Sequence, residues 1–390
     1  MLALVALAEL LGMTLWFSAT AVAVPIAAEF DLSSRGAAWL TMAVQAGFVS
    51  GTLASGLLNL PDRINARVLF ALGALAGAAT NFAVTGAGST WAAVLWRFAT
   101  GAALACVYPP GMKIAAGWTI TRRGTALGLV VGALTLGSAA PHLLAAFVPV
   151  SAWRSVLSVA SVLAVAAAAI ILFVVRDGPY MTASAPFDPR AARTIVRLPA
   201  ARLATLGYLG HMWELYAMWT WMGLFAAAGL TVRGAEAADA ARWGSLVAFL
   251  TVASGAPACL AAGVWGDRIG KARVARGAMV GSAACALATP ALFAAPAFWV
   301  IVLAVVWGAT VVADSAQFSA LVADASPQEH VGTALTLQTC AGFLLTMVTI
   351  RLMPVIADAI GWRWAFLVLA PGPIFGAGAM TRLRRLGNRG

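Results

Sequence analysis

Seven ionisable side chains sit inside apolar stretches of this chain: Glu9, Arg97, His142, His211, Glu214, Asp314 and Arg351. A charge at the centre of a bilayer costs at least about 2.5 to 3.5 kcal/mol, so each asks for a partner or a task. His211 and Glu214 are three residues apart, on one face of a helix. An imidazole and a carboxylate so placed can relay a proton; the plainer reading is an ion pair that closes helix packing. Arg97 carries a planar fork that matches carboxylates and small oxyanions. It either clamps an anionic solute or pairs with a neighbouring acid. Asp314 and Gln317 add polar contacts one turn apart; the alternative for Asp314 is a place close enough to the cytoplasm to be solvated. Arg351 precedes Pro354 near a segment end, where a long side chain snorkels to the interface.

Other chemistries lack their motifs. The sequence holds no G-x-x-x-x-G-K-[ST] phosphate loop, no G-x-S-x-G and no H-E-x-x-H. Neither an enzyme, a nucleotide-driven machine nor a resident cofactor is expected. Cys106, Cys259, Cys285 and Cys340 show no metal-ligand spacing and read as small apolar packing residues.

The elements that must position these groups are membrane helices. The chain is 62% hydrophobic and 10% charged, against about 25% charged in soluble domains. At about 20 residues per crossing, its 390 residues predict twelve spans, the first at 2–28 and the last at 363–381. The apolar runs are too long for barrel strands of about 10 residues. The first run is followed by Glu29-Phe30-Asp31 rather than a cleavage site, so it reads as a span and not a signal peptide.

Net charge +11 reflects topology, not nucleic-acid binding. With both termini placed in the cytoplasm, eighteen of the 25 Lys and Arg fall on that side and five on the other; Arg97 and Arg351 lie within spans. That bias sets the orientation by the positive-inside rule and predicts contact with anionic lipid. The longest polar stretch is 176–202. Arg190, Arg193 and Arg197 within it fall at helical spacing, as in a short helix lying on the membrane surface. Three units follow: an N-terminal bundle at 1–175, a cytoplasmic linker at 176–202 and a C-terminal bundle at 203–390.

The two bundles are copies. Glu9, Met13 and Trp16 return as Glu214, Met218 and Trp221, 205 residues on. Asp62-Arg63 returns as Asp267-Arg268 at 205, Gly124-Thr125 as Gly332-Thr333 at 208, and Trp153-Arg154 as Trp362-Arg363 at 209. Repeats of this kind build many secondary transporters, with the solute path between them. The repeat sets Glu9 opposite Glu214, and Trp16 opposite Trp221. The tryptophans either pack as anchors or wall the solute, with Tyr216 and Gln317 as further candidate contacts.

The loop Gly263-x-x-x-Asp267-Arg268-x-Gly270-x-x-Arg273 resembles the signature loop of the major facilitator superfamily. A degenerate copy runs from Leu58 through Asp62, Arg63 and Asn65 to Arg67. Arg97-x-x-x-Gly101 is similar to that superfamily's fourth-helix motif. The stretch Gly132 to His142 loosely resembles bacterial carriers of the cyanate and nitrate type. Gly128-x-x-x-Gly132-Ala133 departs from the exporter pattern, which has proline in place of Ala133.

The resemblance implies an all-α membrane protein of two pseudosymmetric six-helix bundles, working by alternating access. It implies that helices 1, 4, 7 and 10 line the cavity, which puts Glu9, Arg97, His211, Glu214 and Asp314 on cavity helices. It implies gating latches at Asp62, Arg63, Asp267 and Arg268; basic topology-setting turns are the plainer reading. The expected function is proton-coupled movement of a small polar or anionic organic solute across a bacterial-type inner membrane. Glu214, His211, Glu9 and Asp314 are the proton candidates; Arg97, Trp16, Trp221, Tyr216 and Gln317 the solute candidates. The expected partners are the solute, protons and lipid, and the expected state a monomer. Efflux of cationic or amphipathic compounds is the first alternative, and a non-transporting sensor or assembly factor the second.

Overall fold

The computed structural model describes residues 1–119, 123–181 and 187–387. Arg122, Arg389 and residues 182–186 of the linker lie outside them. Among the described residues every regular element is a helix.

Ten helices are long and apolar enough to cross a membrane. Span 2 is Arg35–Leu57, span 3 Ala66–Gly86, span 4 Thr90–Ala116, span 5 Gly124–Phe147 and span 6 Val150–Val174. Span 7 is Pro199–Val232, span 8 Ala237–Ile269, span 10 Ala297–Ala325, span 11 Gln328–Ile360 and span 12 Trp362–Leu386. Span 9, Lys271–Leu292, misses the apolar measure because Lys271, Arg273 and Arg276 open it. Span 1 misses the length: a helix at Leu2–Met13 gives way to turns before a second short helix at Ala23–Glu29. The sequence predicts an unbroken helix there. Large apolar side chains such as Phe173, Val162, Trp91 and Phe298 face outward, as a lipid-facing belt requires.

The two bundles repeat the same packing. Span 2 crosses span 4 as 8 crosses 10; 1 lies on 5 as 7 on 11; 3 lies on 6 as 9 on 12. Between the bundles, span 5 packs on span 8 and span 2 on span 11. Proline breaks come where the sequence places them. Span 4 is interrupted just before Tyr108-Pro109-Pro110, and span 8 at Ser254, ahead of Pro257, because each ring removes a backbone donor.

The span 5–span 8 seam is paved with small residues. Gly124, Gly128 and Gly132 recur every four residues, on one helical face, against Gly263, Cys259 and Ala256. Gly270 closes span 8 at φ 96°, a left-handed turn that favours glycine. Its counterpart Asn65 instead caps span 3, accepting from the Arg67 amide at 2.9 Å.

Linker residues bind both bundles. Arg67 pairs with Asp177 at 3.0 Å, and Asn65 donates to the same carboxylate. The amide of Asp188 donates to Thr333 Oγ1 at the start of span 11. Helix Ala191–Arg197 then buries Ala191 and Ile195 beside Val322 and Ala334.

Candidate functional site

The break in span 1 explains Arg97. Thr14 and Ser18 turn their hydroxyls back onto the carbonyls of Leu11 and Leu15, a local bond that competes with helix. The chain tightens into three-residue turns, and carbonyls that a helix would bond inside itself are released. Arg97 collects them. Its guanidinium donates to the carbonyls of Trp16 at 2.5 Å, Leu15 at 3.1 Å and Leu40 at 3.3 Å. It also donates to Asn81 Oδ1 at 2.8 Å and Ser18 Oγ at 3.2 Å. The residue is fully buried. Non-helical backbone survives at membrane depth where protein groups satisfy it, and Arg97 is that group here. Its partners are carbonyls and an amide rather than the acid the sequence points to.

The two repeat-related acids do not face one another through any contact; each lies within its own bundle. Glu214 accepts from Trp307 Nε1 at 2.6 Å and Ser282 Oγ at 2.7 Å. Glu9, fully buried, lies against Gly111 of its own bundle, and neither oxygen has a hydrogen-bond donor among the described residues. Nor does Glu214 pair with His211. The imidazole Nδ1 of His211 stands 2.8 Å from Asp314 Oδ1, with both side chains buried. The two groups are within hydrogen-bonding distance, although the ring N–H is not aligned on that oxygen. Asp314 sits at the bend of span 10 between Ala313 and Ser315, away from solvent.

The bundles meet at an aromatic hub. Trp16 contacts Phe48 at 5.0 Å, Phe343 at 5.6 Å and Tyr216 at 5.8 Å between ring centres. Phe17 reaches Tyr216, Trp219 and His142. Spans 1 and 2 thus touch 7 and 11 through rings, and span 5 joins them through His142 on Phe17. Around the hub are buried polar atoms with no hydrogen-bond partner among the described residues. They are Trp16 Nε1, Trp219 Nε1 and His142 Nε2; both amide atoms of Gln45, one turn before Phe48 on span 2, and Gln338 Nε2, on span 11, are likewise unbonded. Each such group costs about 1–3 kcal/mol, and native proteins leave few of them.

Trp16 and Tyr216 touch across the seam. Trp221 lies one shell away, its indole donating to the Ile350 carbonyl at 3.0 Å. Gln317 is elsewhere, donating to the Ala262 carbonyl and lying against Gly266 inside the C-terminal bundle. Gln45, Gln338 and Trp219 carry little signal in the sequence. The available clue was an amide or indole in a stretch otherwise free of polar atoms.

A cavity of about 720 Å³ opens from the side opposite the linker and reaches the hub at His142. Thr20, Thr41, Thr220 and Trp221 line it, with Arg242 at the mouth stacked on Phe147. On the linker side the seam is shut. The carboxylate of Asp267 lies against the backbone of Gly124, where span 5 begins; an acid is favoured at a helix N-terminus. Asp62 instead pairs with Lys113 of its own bundle at 2.5 Å. Arg63 and Arg268 are exposed. On the opposite side Arg351 donates to the Arg35 carbonyl across the seam at 2.9 Å, and Arg35 approaches Asp358.

Twelve spans, a two-fold repeat and a path between bundles define a multi-pass membrane transporter fold. The profile described as Major Facilitator Superfamily matches residues 4–250 and 237–388. The chain belongs to that superfamily and is a transporter, not an enzyme. Its structure is similar to a crystal structure of a point mutant of the nucleoside transporter NupG. That match has a TM-score of 0.70 at 16% identity and covers 98% of this chain and 99% of the other. At that identity the likeness shows the fold and not the solute. No curated protein matches the chain by sequence.

Proposed function

We propose that this transporter is a proton-coupled secondary carrier of a small polar organic solute, with the hub between the bundles as its solute site. The single observation behind this reading is the ring of unpaired polar atoms at the seam. Protein folding alone gives no return for leaving Gln45, Trp16, Trp219, His142 and Gln338 unbonded; a solute that completes them does. Residues 1–175 and 203–390 rock as two bodies about the hub, with the small-residue face of span 5 as the sliding surface. The linker side, with its basic loops, is the cytoplasmic side of a bacterial-type inner membrane, and both termini lie there.

In this reading Glu9 and the His211–Asp314 pair carry the proton. Glu214 is an anchor, because its oxygens are already held by Ser282 and Trp307. Glu9 is the intramembrane carboxyl with no donor, so a proton can come and go there without breaking a built network.

Cys259 provides the test. It is buried where span 8 meets Gly128 of span 5. With the other three cysteines replaced by alanine, rocking exposes it in turn to a small water-soluble maleimide in lipid. An Ala145→Cys variant on the cavity wall is labelled when Cys259 is not. Cys259 that stays inert for hours, while Ala145→Cys reacts fully, defeats alternating access.

A further inference from the structure

We infer that the solute completed at this seam is an uncharged planar ring rich in hydrogen-bond acceptors, of the cyclic amide or imide type. This rests on the carrier reading above and adds the class of solute.

Four of the buried charges already have partners in the protein. Arg97 is bonded to five protein acceptors. Glu214 holds two donors. His211 and Asp314 stand against each other. Glu9 lies against Gly111 of its own bundle. The residues lining the cavity include no Asp or Glu, and Arg242 stands at its mouth. An ion brought to the hub would lose its water with no opposite charge to replace it, which is the costly case for burial. That sets aside the anion clamp the sequence offers for Arg97, and cations as well.

The open groups at the hub are uncharged and mostly donors. The indole N–H groups of Trp16 and Trp219 and the amide nitrogens of Gln45 and Gln338 donate, while Gln45 Oε1 accepts. His142 Nε2 serves either way according to tautomer. Their complement is a compound with several carbonyl-type acceptors and one or two N–H donors. The surrounding surface is aromatic. Trp16, Phe17, Phe48, Tyr216, Trp219 and Phe343 stand with ring centres 4.8 to 6.1 Å apart. Rings accept a flat guest by offset stacking or edge contact. The cavity leading there, about 720 Å³, lies in the range of small-molecule sites, about 300–1,000 Å³.

One ring skeleton separates the alternatives. The full-length protein in lipid nanodiscs is titrated with nicotinamide, nicotinate and N-methylnicotinamide methylated at the ring nitrogen (a pyridinium cation), which share a ring and differ in charge, and with uracil. Binding is read by quenching of tryptophan fluorescence. Saturable binding of nicotinamide or uracil at least about tenfold tighter than either ion is expected, the worth of one well-placed hydrogen bond against an unpaired charge. Gln45→Leu should weaken that binding about tenfold while leaving the melting temperature of the free protein unchanged or higher. Nicotinate or N-methylnicotinamide bound as well as the uncharged rings overturns the inference. So does the lack of a saturable response to either uncharged ring. A Gln45→Leu protein that binds like the parent overturns the placement at the hub. The carrier reading is decided separately, by the reactivity of Cys259.

Discussion

In the N-terminal bundle, Glu9 lies against a glycine with no donor on either oxygen among the described residues. In the C-terminal bundle, Glu214 at the equivalent place is held by Trp307 and Ser282. At the offsets that relate the copies, Ser282 corresponds to Gly77 and Trp307 to Ala99, so the first copy lacks both donors. The reverse holds one helix away. The network of Ser18, Asn81 and Arg97 corresponds to Gly223, Ala286 and Val305. Span 7, without that network, runs unbroken over Pro199–Val232, while span 1, with it, is interrupted. One duplicated unit thus spends its buried polarity differently in each copy. The first supports an open backbone and leaves an acid free. The second supports an acid and keeps its backbone helical.

The strongest way to break this comparison is at Arg97. Arg97→Ala takes the donor from the Trp16 carbonyl and one donor each from those of Leu15 and Leu40, and should cost on the order of 3–5 kcal/mol. The expected readout is loss of folded protein in size-exclusion yield, whereas Val305→Ala should behave nearly like the parent. Arg97→Ala that melts within a few degrees of the parent removes the account of the broken span.

Next comes a contrast between seams. Gly101 sits so close to the Val44 carbonyl, and Gly47 to that of Phe98, that a methyl group overlaps the facing backbone. At the seam between bundles, a methyl group on Gly132 would stand 3.1 Å from the Ala256 carbonyl, and one on Gly128 would stand 3.4 Å from that of Cys259. Gly101→Ala should therefore destabilise by about 1–3 kcal/mol. Gly132→Ala should cost less than about 1 kcal/mol and act mainly by shifting how often Cys259 is labelled. Equal losses of thermal stability in the two variants would show that the span 5–span 8 seam is no looser than the interior of a bundle.

The glutamates sharpen the comparison further. Glu214→Gln leaves one acceptor oxygen where Ser282 and Trp307 both donate, at a cost of about 2 kcal/mol. Glu9→Gln should stay within about 1 kcal/mol of the parent in melting assays. In proteoliposomes the order reverses: Glu9→Gln should abolish accumulation driven by an imposed pH gradient while leaving solute exchange. Gradient-driven accumulation by Glu9→Gln moves the proton site elsewhere.

The smallest effect lies in the linker. Burial raises the Asp177 carboxyl, but hydrogen bonds from Arg67 and Asn65 outweigh it and leave the group below its ordinary value. A depressed carboxyl stabilises the fold above its unfolded value, about 3.9 for Asp, and loses that contribution as pH falls through the folded value. As pH falls below about 4, hydrogen exchange at the Tyr180 amide, which bonds to Gly117, should quicken. Exchange in the helix at Ala191–Arg197, held by apolar contacts, should show no such step, and Asp177→Asn should remove it at Tyr180.

Much of this was legible in the residues taken in order. Hydropathy and the basic loops establish membrane helices, because lipid imposes length and apolarity one segment at a time. The recurrence of Glu9, Asp62 and Trp153 in the second half establishes duplication, because a repeat is a property of order alone. The cost of burying a charge marks Glu9, Arg97, His211, Glu214 and Asp314 as meaningful. Pairing is a matter of distance, and only the tertiary structure decided it. His211 is three residues from Glu214 along span 7, yet it turns to Asp314 on span 10. Arg97 turns to carbonyls freed by a break that hydropathy cannot register, since an interrupted segment is as apolar as a whole one. The hub of Gln45, Gln338, Trp16 and Trp219 draws on four spans, and no interval in the sequence brings them together. What joins them is the crossing of two bundles, where packing excludes water and leaves each of these groups without a partner.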